Sequence, residues 1–238
     1  MKKIVVVICV VSCFLSASVT FAGMVDLAVN NSGTVIAATG QLTTFERFND
    51  PSTGTGVFEP FLRIQHRGME KGYNTDGTPE FGTKKGKWTH SIRLGNIQTV
   101  NNCLEFLLDI NESQGRNNRY LSLDGLKIFL ADSPNLDNYA AGLGTMVYNL
   151  ADKDHDNWVK MDNTIFGPGS GTGDMRVVIP VNPQWSSDKY LYLYSELGKH
   201  NSSDAGFEEW SVMTSDAVPE PATLALLALG AALMRKKR

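Results

Sequence analysis

The sequence predicts an all-β domain, an antiparallel two-sheet β-sandwich of jelly-roll-like type, flanked by two segments of different character. Three observations lead there. Short runs rich in β-branched, aromatic and leucine residues recur along the middle of the chain. Clusters of Gly, Asn, Asp and Pro separate them, among them Asn31-Ser32-Gly33, Asn74-Thr75-Asp76-Gly77 and Ser133-Pro134-Asn135. No stretch between the two ends holds a helical period over about a dozen residues, and neither β-α-β alternation nor an internal repeat is evident.

The first segment is residues 1–22. Lys2 and Lys3 precede an apolar run, Ile4 to Leu15, broken only by Ser12, and Thr20-Phe21-Ala22 supplies small residues at the third and last positions before Gly23. That is the grammar of a secretory signal peptide cleaved between Ala22 and Gly23. A rival reading makes Val10-Val11-Ser12-Cys13 a lipoprotein processing box with Cys13 as the acylated residue. That reading leaves a short apolar core, and puts Phe14-Leu15 where a polar tether is usual.

The other segment is residues 218–238. Val218-Pro219-Glu220-Pro221 leads into thirteen uncharged residues, Ala222 to Met234, and then Arg235-Lys236-Lys237-Arg238. As a helix the apolar run would be about 20 Å long, against a hydrocarbon core of about 30 Å. Such a transmembrane helix serves as a temporary stop rather than a permanent anchor, with its basic end held on the cytoplasmic side. Pro219-Glu220-Pro221, the Leu-rich stretch with Gly230 and the basic cluster together resemble the PEP-CTERM sorting signal of Gram-negative bacteria. The resemblance implies processing by an exosortase, a membrane-embedded transpeptidase-like enzyme. It also implies transient residence in the inner membrane, then delivery to the cell surface or extracellular matrix.

Between the ends, residues 23–217 are expected to form one exported domain. The whole chain has 22 Lys+Arg and 25 Asp+Glu; removing six bases and one acid with the two ends leaves 16 against 24. An acidic exported domain repels nucleic acid and suits cations or neutral polymers. Of the three cysteines only Cys103 remains, so no internal disulfide can form, and its place before Leu104 to Ile110 points to burial.

Candidate strands run in order from Thr34–Ala38 and Gln41–Phe45 through Phe61–Arg67, Thr89–Leu94, Leu104–Ile110 and Leu126–Leu130. They continue with Thr145–Leu150, Trp158–Met161, Met175–Ile179 and Lys189–Ser195. In the last, Tyr190, Tyr192 and Tyr194 take one face and Leu191 and Leu193 the other, so this strand should be covered on both sides. Gly72 to Gly77, Trp88 to Ser91, Phe106 to Glu112, Leu121 to Leu126 and Gly206 to Trp210 resemble a set of exported bacterial proteins with the same tail. That resemblance implies export and no chemistry.

No enzyme signature stands out. Gly-x-Ser-x-Gly and His-Glu-x-x-His are missing, the Gly167–Gly173 loop lacks the lysine of a phosphate loop, and the four histidines are scattered. The expectation is a noncatalytic protein. For metal, Asp152, Asp154 and Asp156 alternate as calcium loops do, but Asn157 and Asn163 stand where an EF-hand needs Gly and Glu. The same residues also suit a solvated hairpin turn between Thr145–Leu150 and Trp158–Met161. A second carboxylate group is Asp109, Asn111 and Glu112 with Asp124, to which Asp204, Glu208 and Glu209 could add. A Ca2+ site there would join distant segments; exposed polar strand faces are the plainer alternative. Trp185, following Pro183 in an irregular stretch, is the best candidate for glycan stacking, while most other aromatics suit the core. The expected role is structural or adhesive within an exopolysaccharide matrix. A calcium-stabilised carbohydrate-binding module is the alternative, and a secreted hydrolase a third reading.

Overall fold

The computed structural model describes residues 19–20, 23–48, 59–113, 115, 118–166, 173–204 and 206–212. The fold is all-β, its sheets mainly antiparallel. One sheet places side by side Ser32–Ile36, Leu42–Arg47, Met175–Pro180, Cys103–Asp109, Glu208–Val212 and Pro60–Ile64. The second runs Met24–Asp26, Trp158–Asp162, Tyr120–Ala131, Tyr190–Leu197 and Glu70–Tyr73. Counting only the strands just named, from Pro60–Ile64 onward and leaving out the shorter or off-path strands, the first sheet holds the first, eighth, third and sixth as neighbours. The second sheet holds the second, seventh, fourth and fifth.

The two sheets share one core. Leu62, Ile64, Leu104, Phe106, Leu108, Val177 and Trp210 from the first meet Leu121, Leu123, Ile128, Val159, Leu191 and Leu193 from the second. Each such side chain contributes about 1.5–3 kcal/mol on burial. That term must carry the fold, because Cys103 is a free, half-buried thiol. The core also absorbs Trp210, which is fully buried.

Tyr190–Leu197 has the two-sided character its alternation predicts. Leu191 and Leu193 enter the main core, whereas Tyr192 and Tyr194 join Tyr73, Phe129 and Leu143 in a second cluster on the outer face. Tyr139, from the segment after Ala131, closes that cluster by stacking on Tyr194 at 4.7 Å between ring centroids.

Two expectations change. Thr145–Asn149 and Trp158–Asp162 do not form a hairpin. Both pair with Tyr120–Ala131, the first along Lys127 to Leu130 and the second along Tyr120 to Leu123. The acidic turn therefore links two strands laid end to end. Glu70–Tyr73 and Glu208–Val212 are strands that the sequence pattern does not announce, since each begins with charge.

Among the described residues no helix is long and apolar enough to cross a membrane. The apolar runs at 4–15 and 222–234, Ala22 and Pro219-Glu220-Pro221 lie outside the described residues. Val19–Thr20 pairs in parallel with Thr34 and Val35, and Met24–Asp26 pairs in parallel with Trp158 to Lys160. Cleavage before Gly23 would remove the former pairing and leave the latter, and the Gly23 nitrogen, whose amide donates to Asn157 Oδ1 at 3.2 Å, would become a terminal ammonium that can still donate there.

Candidate metal centre

Three buried glutamates converge at one end of the domain. Glu70 opens its strand in the second sheet, and Glu208 opens its strand in the first. Glu112 lies on the crossover between Cys103–Asp109 and Tyr120–Ala131. One carboxylate oxygen from each lies within 4.8 Å of the other two. Their exposures are 1%, 0% and 5% for Glu70, Glu208 and Glu112, so water does not dilute their mutual repulsion.

Short backbone contacts fix this geometry. The His66 amide donates to Glu70 Oε2 at 2.8 Å, and the Asp204 amide donates to Glu112 Oε2 at 2.8 Å. Asp204 Oδ2 accepts from the Ser113 amide at 2.8 Å, tying the two loops together. Asn111 Nδ2 donates to the Phe207 carbonyl at 2.8 Å, and a Cβ at Gly206 would collide with the Asn111 carbonyl. Among the described residues, Glu70 Oε1, Glu112 Oε1 and both carboxylate oxygens of Glu208 make no close, well-aligned hydrogen bond, although the Asn111 amide and the Ser203 hydroxyl lie near enough to favour the ionised forms. No lysine or arginine among them pairs with any of the three.

Burying one unpaired carboxylate costs several kcal/mol, and three at this separation cannot all stay ionised without compensation. Burial pushes Glu112 up to about 8, even against the Asp204 amide. Burial also raises Glu208 well above its ordinary value, with the Glu70 charge next in importance and the Asn111 amide a partial relief. Glu70 is raised by burial too, against the hydrogen bonding that favours its ionised form. An oxygen-only, multiply acidic, water-poor cluster can either hold protons or hold a hard cation.

Of the other residues singled out by sequence, Asn111 and Asp204 border this cluster, Glu209 pairs with Arg63, and the rest lie apart. Asp109 is fully buried and electrostatically coupled to Asp174. Asp124 is engaged locally: its carboxylate meets His200 Nδ1 at 2.5 Å, the Lys199 amide at 2.7 Å and Ser122 Oγ at 2.8 Å. His200 in turn stacks on Trp158. Asp152 Oδ1 accepts from the amides of Asp154 and His155, which makes 152–156 a self-contained turn. Asp154 faces Lys153, and Asp156 faces Lys199 at 3.7 Å. Trp185 packs partly on the main core and lines a cleft of about 600 Å³ with Asp132, Asn182, Gln184 and Lys189. Glu112 and Glu208 were within reach of sequence reasoning. Glu70 carries no local signal.

Asp174 gives the domain a pH dependence of its own. Its Oδ2 accepts from the Ile110 amide at 2.8 Å, yet burial pushes its carboxyl up to about 8, and the Asp109 charge adds to the rise. The native state thus keeps a proton that the unfolded chain releases near 3.8. Stability from this group is complete below that value and is lost as pH rises toward about 8. Asp174→Asn removes the slope. Urea unfolding at fixed calcium should show the variant gaining on wild type, by up to a few kcal/mol, as pH goes from about 5 to about 8.5. An unchanged difference across that range would refute the assignment.

Residues 217–238 match the family model described as the PEP-CTERM protein-sorting motif. No curated protein and no solved structure matches the chain. The class is therefore that of proteins carrying a PEP-CTERM sorting signal. The motif implies processing by an exosortase-type enzyme, with export and membrane-associated sorting before arrival at the surface.

Proposed function

We propose that this chain is a noncatalytic exported protein whose β domain serves a structural or adhesive role in an exopolysaccharide matrix. The sorting motif at 217–238 carries this reading, since it addresses the whole β domain to the outside of the cell. The strand order adds to it. Over the eight longer strands from Pro60–Ile64 onward, first, eighth, third and sixth in one sheet with second, seventh, fourth and fifth in the other matches the order expected of a jelly roll, a fold common in extracellular and sugar-facing modules. A signal peptide ending at Ala22 completes the route.

A second reading has one observation in its favour. The cleft beside Trp185 brings this aromatic residue together with Asn182, Gln184 and the Lys189–Asp132 pair at 2.5 Å, a mixture suited to sugar hydroxyls and ring faces. It would make the domain a carbohydrate-binding module. A glycan array with the full-length chain in mild detergent separates the two. The matrix role expects no selective glycan. Selective binding reduced at least tenfold by Trp185→Ala would replace it with the carbohydrate-binding reading.

A further inference from the structure

We propose that Glu70, Glu112 and Glu208 bind one Ca2+ that clamps the two sheets together at this end of the domain. The ligands come from three separated segments, one on each sheet and one on the crossover between them. A single cation there would cross-link Glu70–Tyr73, Glu208–Val212 and the 110–113 segment at once.

The cluster differs from an ordinary acidic surface in two ways. It is buried, and Glu208, with 0% exposure, brings a carboxylate oxygen to within 4.8 Å of one from Glu70 and one from Glu112 while neither of its oxygens makes a close hydrogen bond. Glu70 and Glu112 each use one oxygen on a backbone amide and leave the other without a close hydrogen bond. That division of labour orients a ligand set: one oxygen fixes the side chain, and the other is left for a guest. Each of the three offers one carboxylate oxygen to a common centre, and the second oxygen of Glu208 makes no close hydrogen bond that would keep it from joining as a bidentate ligand.

The donor chemistry selects the ion. All donors are hard oxygens, which disfavours metals that seek thiolate or imidazole. Ca2+ takes six to eight oxygens at about 2.3–2.6 Å in flexible geometry and accepts bidentate carboxylates. Mg2+ demands a tight octahedron at about 2.0–2.1 Å and gives up its water reluctantly. A buried, bidentate-capable site with a span of up to 4.8 Å suits the larger ion.

Full-length protein in mild detergent, stripped with chelator, is titrated with Ca2+ and separately with Mg2+ by calorimetry and thermal melting. One Ca2+ per chain is expected, at least tenfold tighter than Mg2+. The melting temperature should rise by about 5–10 °C at calcium a hundredfold above Kd. Glu208→Gln and Glu112→Gln should each weaken Ca2+ at least tenfold and abolish the thermal shift, whereas Asp154→Asn should keep both. If Glu208→Gln does not fold, Glu112→Gln carries the comparison. No binding at about 1 mM free calcium, the weak end of extracellular sites, would overturn the proposal. So would binding that survives in the glutamine variants, or binding lost in Asp154→Asn.

Discussion

Gly198→Ala is expected to destabilise the domain by roughly 3–5 kcal/mol, against about 1 kcal/mol for Gly40→Ala, although the two glycines share nearly the same backbone. Their φ values are 88° and 89°, so the left-handed strain of adding a Cβ is common to both. Their surroundings differ. Nothing lies within 4 Å of a Cβ built at Gly40, whereas one at Gly198 would run into the carbonyl of Gly68, which is backbone and cannot rotate aside. Gly198 closes Tyr190–Leu197, and its amide donates to the Ser122 carbonyl at 2.9 Å. Gly68 pairs with Ser203, next to Asp204, and the Asp204 amide holds Glu112. The displacement should therefore spread toward the three-glutamate cluster as well as lower global stability. Urea unfolding of the two variants side by side tests this, and equal losses would show that the close approach of 198 to 68 has no energetic weight.

The same neighbourhood shows what a sequence can and cannot reveal. Tyr190–Leu197 could be read in advance because both of its faces are apolar, and a strand with two apolar faces needs cover on both sides. The cover on its outer face is Leu136 and Tyr139, which follow Ala131 in an irregular stretch with no pattern to announce them. Leu62 and Ile64 alternate with Arg63, and the structure buries the pair while Arg63 faces Glu209. The glutamate cluster obeys a different logic. Glu112 was readable as a carboxylate at the end of an apolar strand. Glu70 was not, because Glu70-Lys71-Gly72-Tyr73 looks like a polar turn, and its inward face exists only once Tyr194 to Leu197 pairs with it. Glu208 likewise becomes inward only when Glu208–Val212 docks between Cys103–Asp109 and Pro60–Ile64. Periodicity reports the face a residue takes on its own strand, and convergence depends on register between strands far apart in the chain. The turn at 152–156 shows the converse: its spacing suits either ligands or a solvated turn, and in the fold Asp152 Oδ1 accepts from the local amides of Asp154 and His155.

Replacing both Pro219 and Pro221 with Ala is expected to abolish processing and leave a full-length precursor in the inner membrane of the native host. Proline at both positions disfavours helix through Glu220, and a residue ahead of proline is biased toward extended geometry. A membrane-embedded transpeptidase needs such an irregular strip, because a peptide bond inside a helix is shielded by its own hydrogen bonding. With alanines, helix would extend from the Ala222–Met234 run through the motif and withdraw the bond from attack. Replacing Arg235 to Arg238 with Ser acts on a different step. By the positive-inside rule the basic end is expected to hold the chain at the cytoplasmic face, and without it so short an apolar run would be a weak stop. Precursor should then escape with its tail attached. Intact-mass measurement of inner-membrane and surface fractions distinguishes the outcomes: tail-free wild type at the surface, trapped precursor for the proline variant, and tailed protein outside for the serine variant. Wild-type processing of both variants would mean that the match at 217–238 does not act as a sorting signal in this chain.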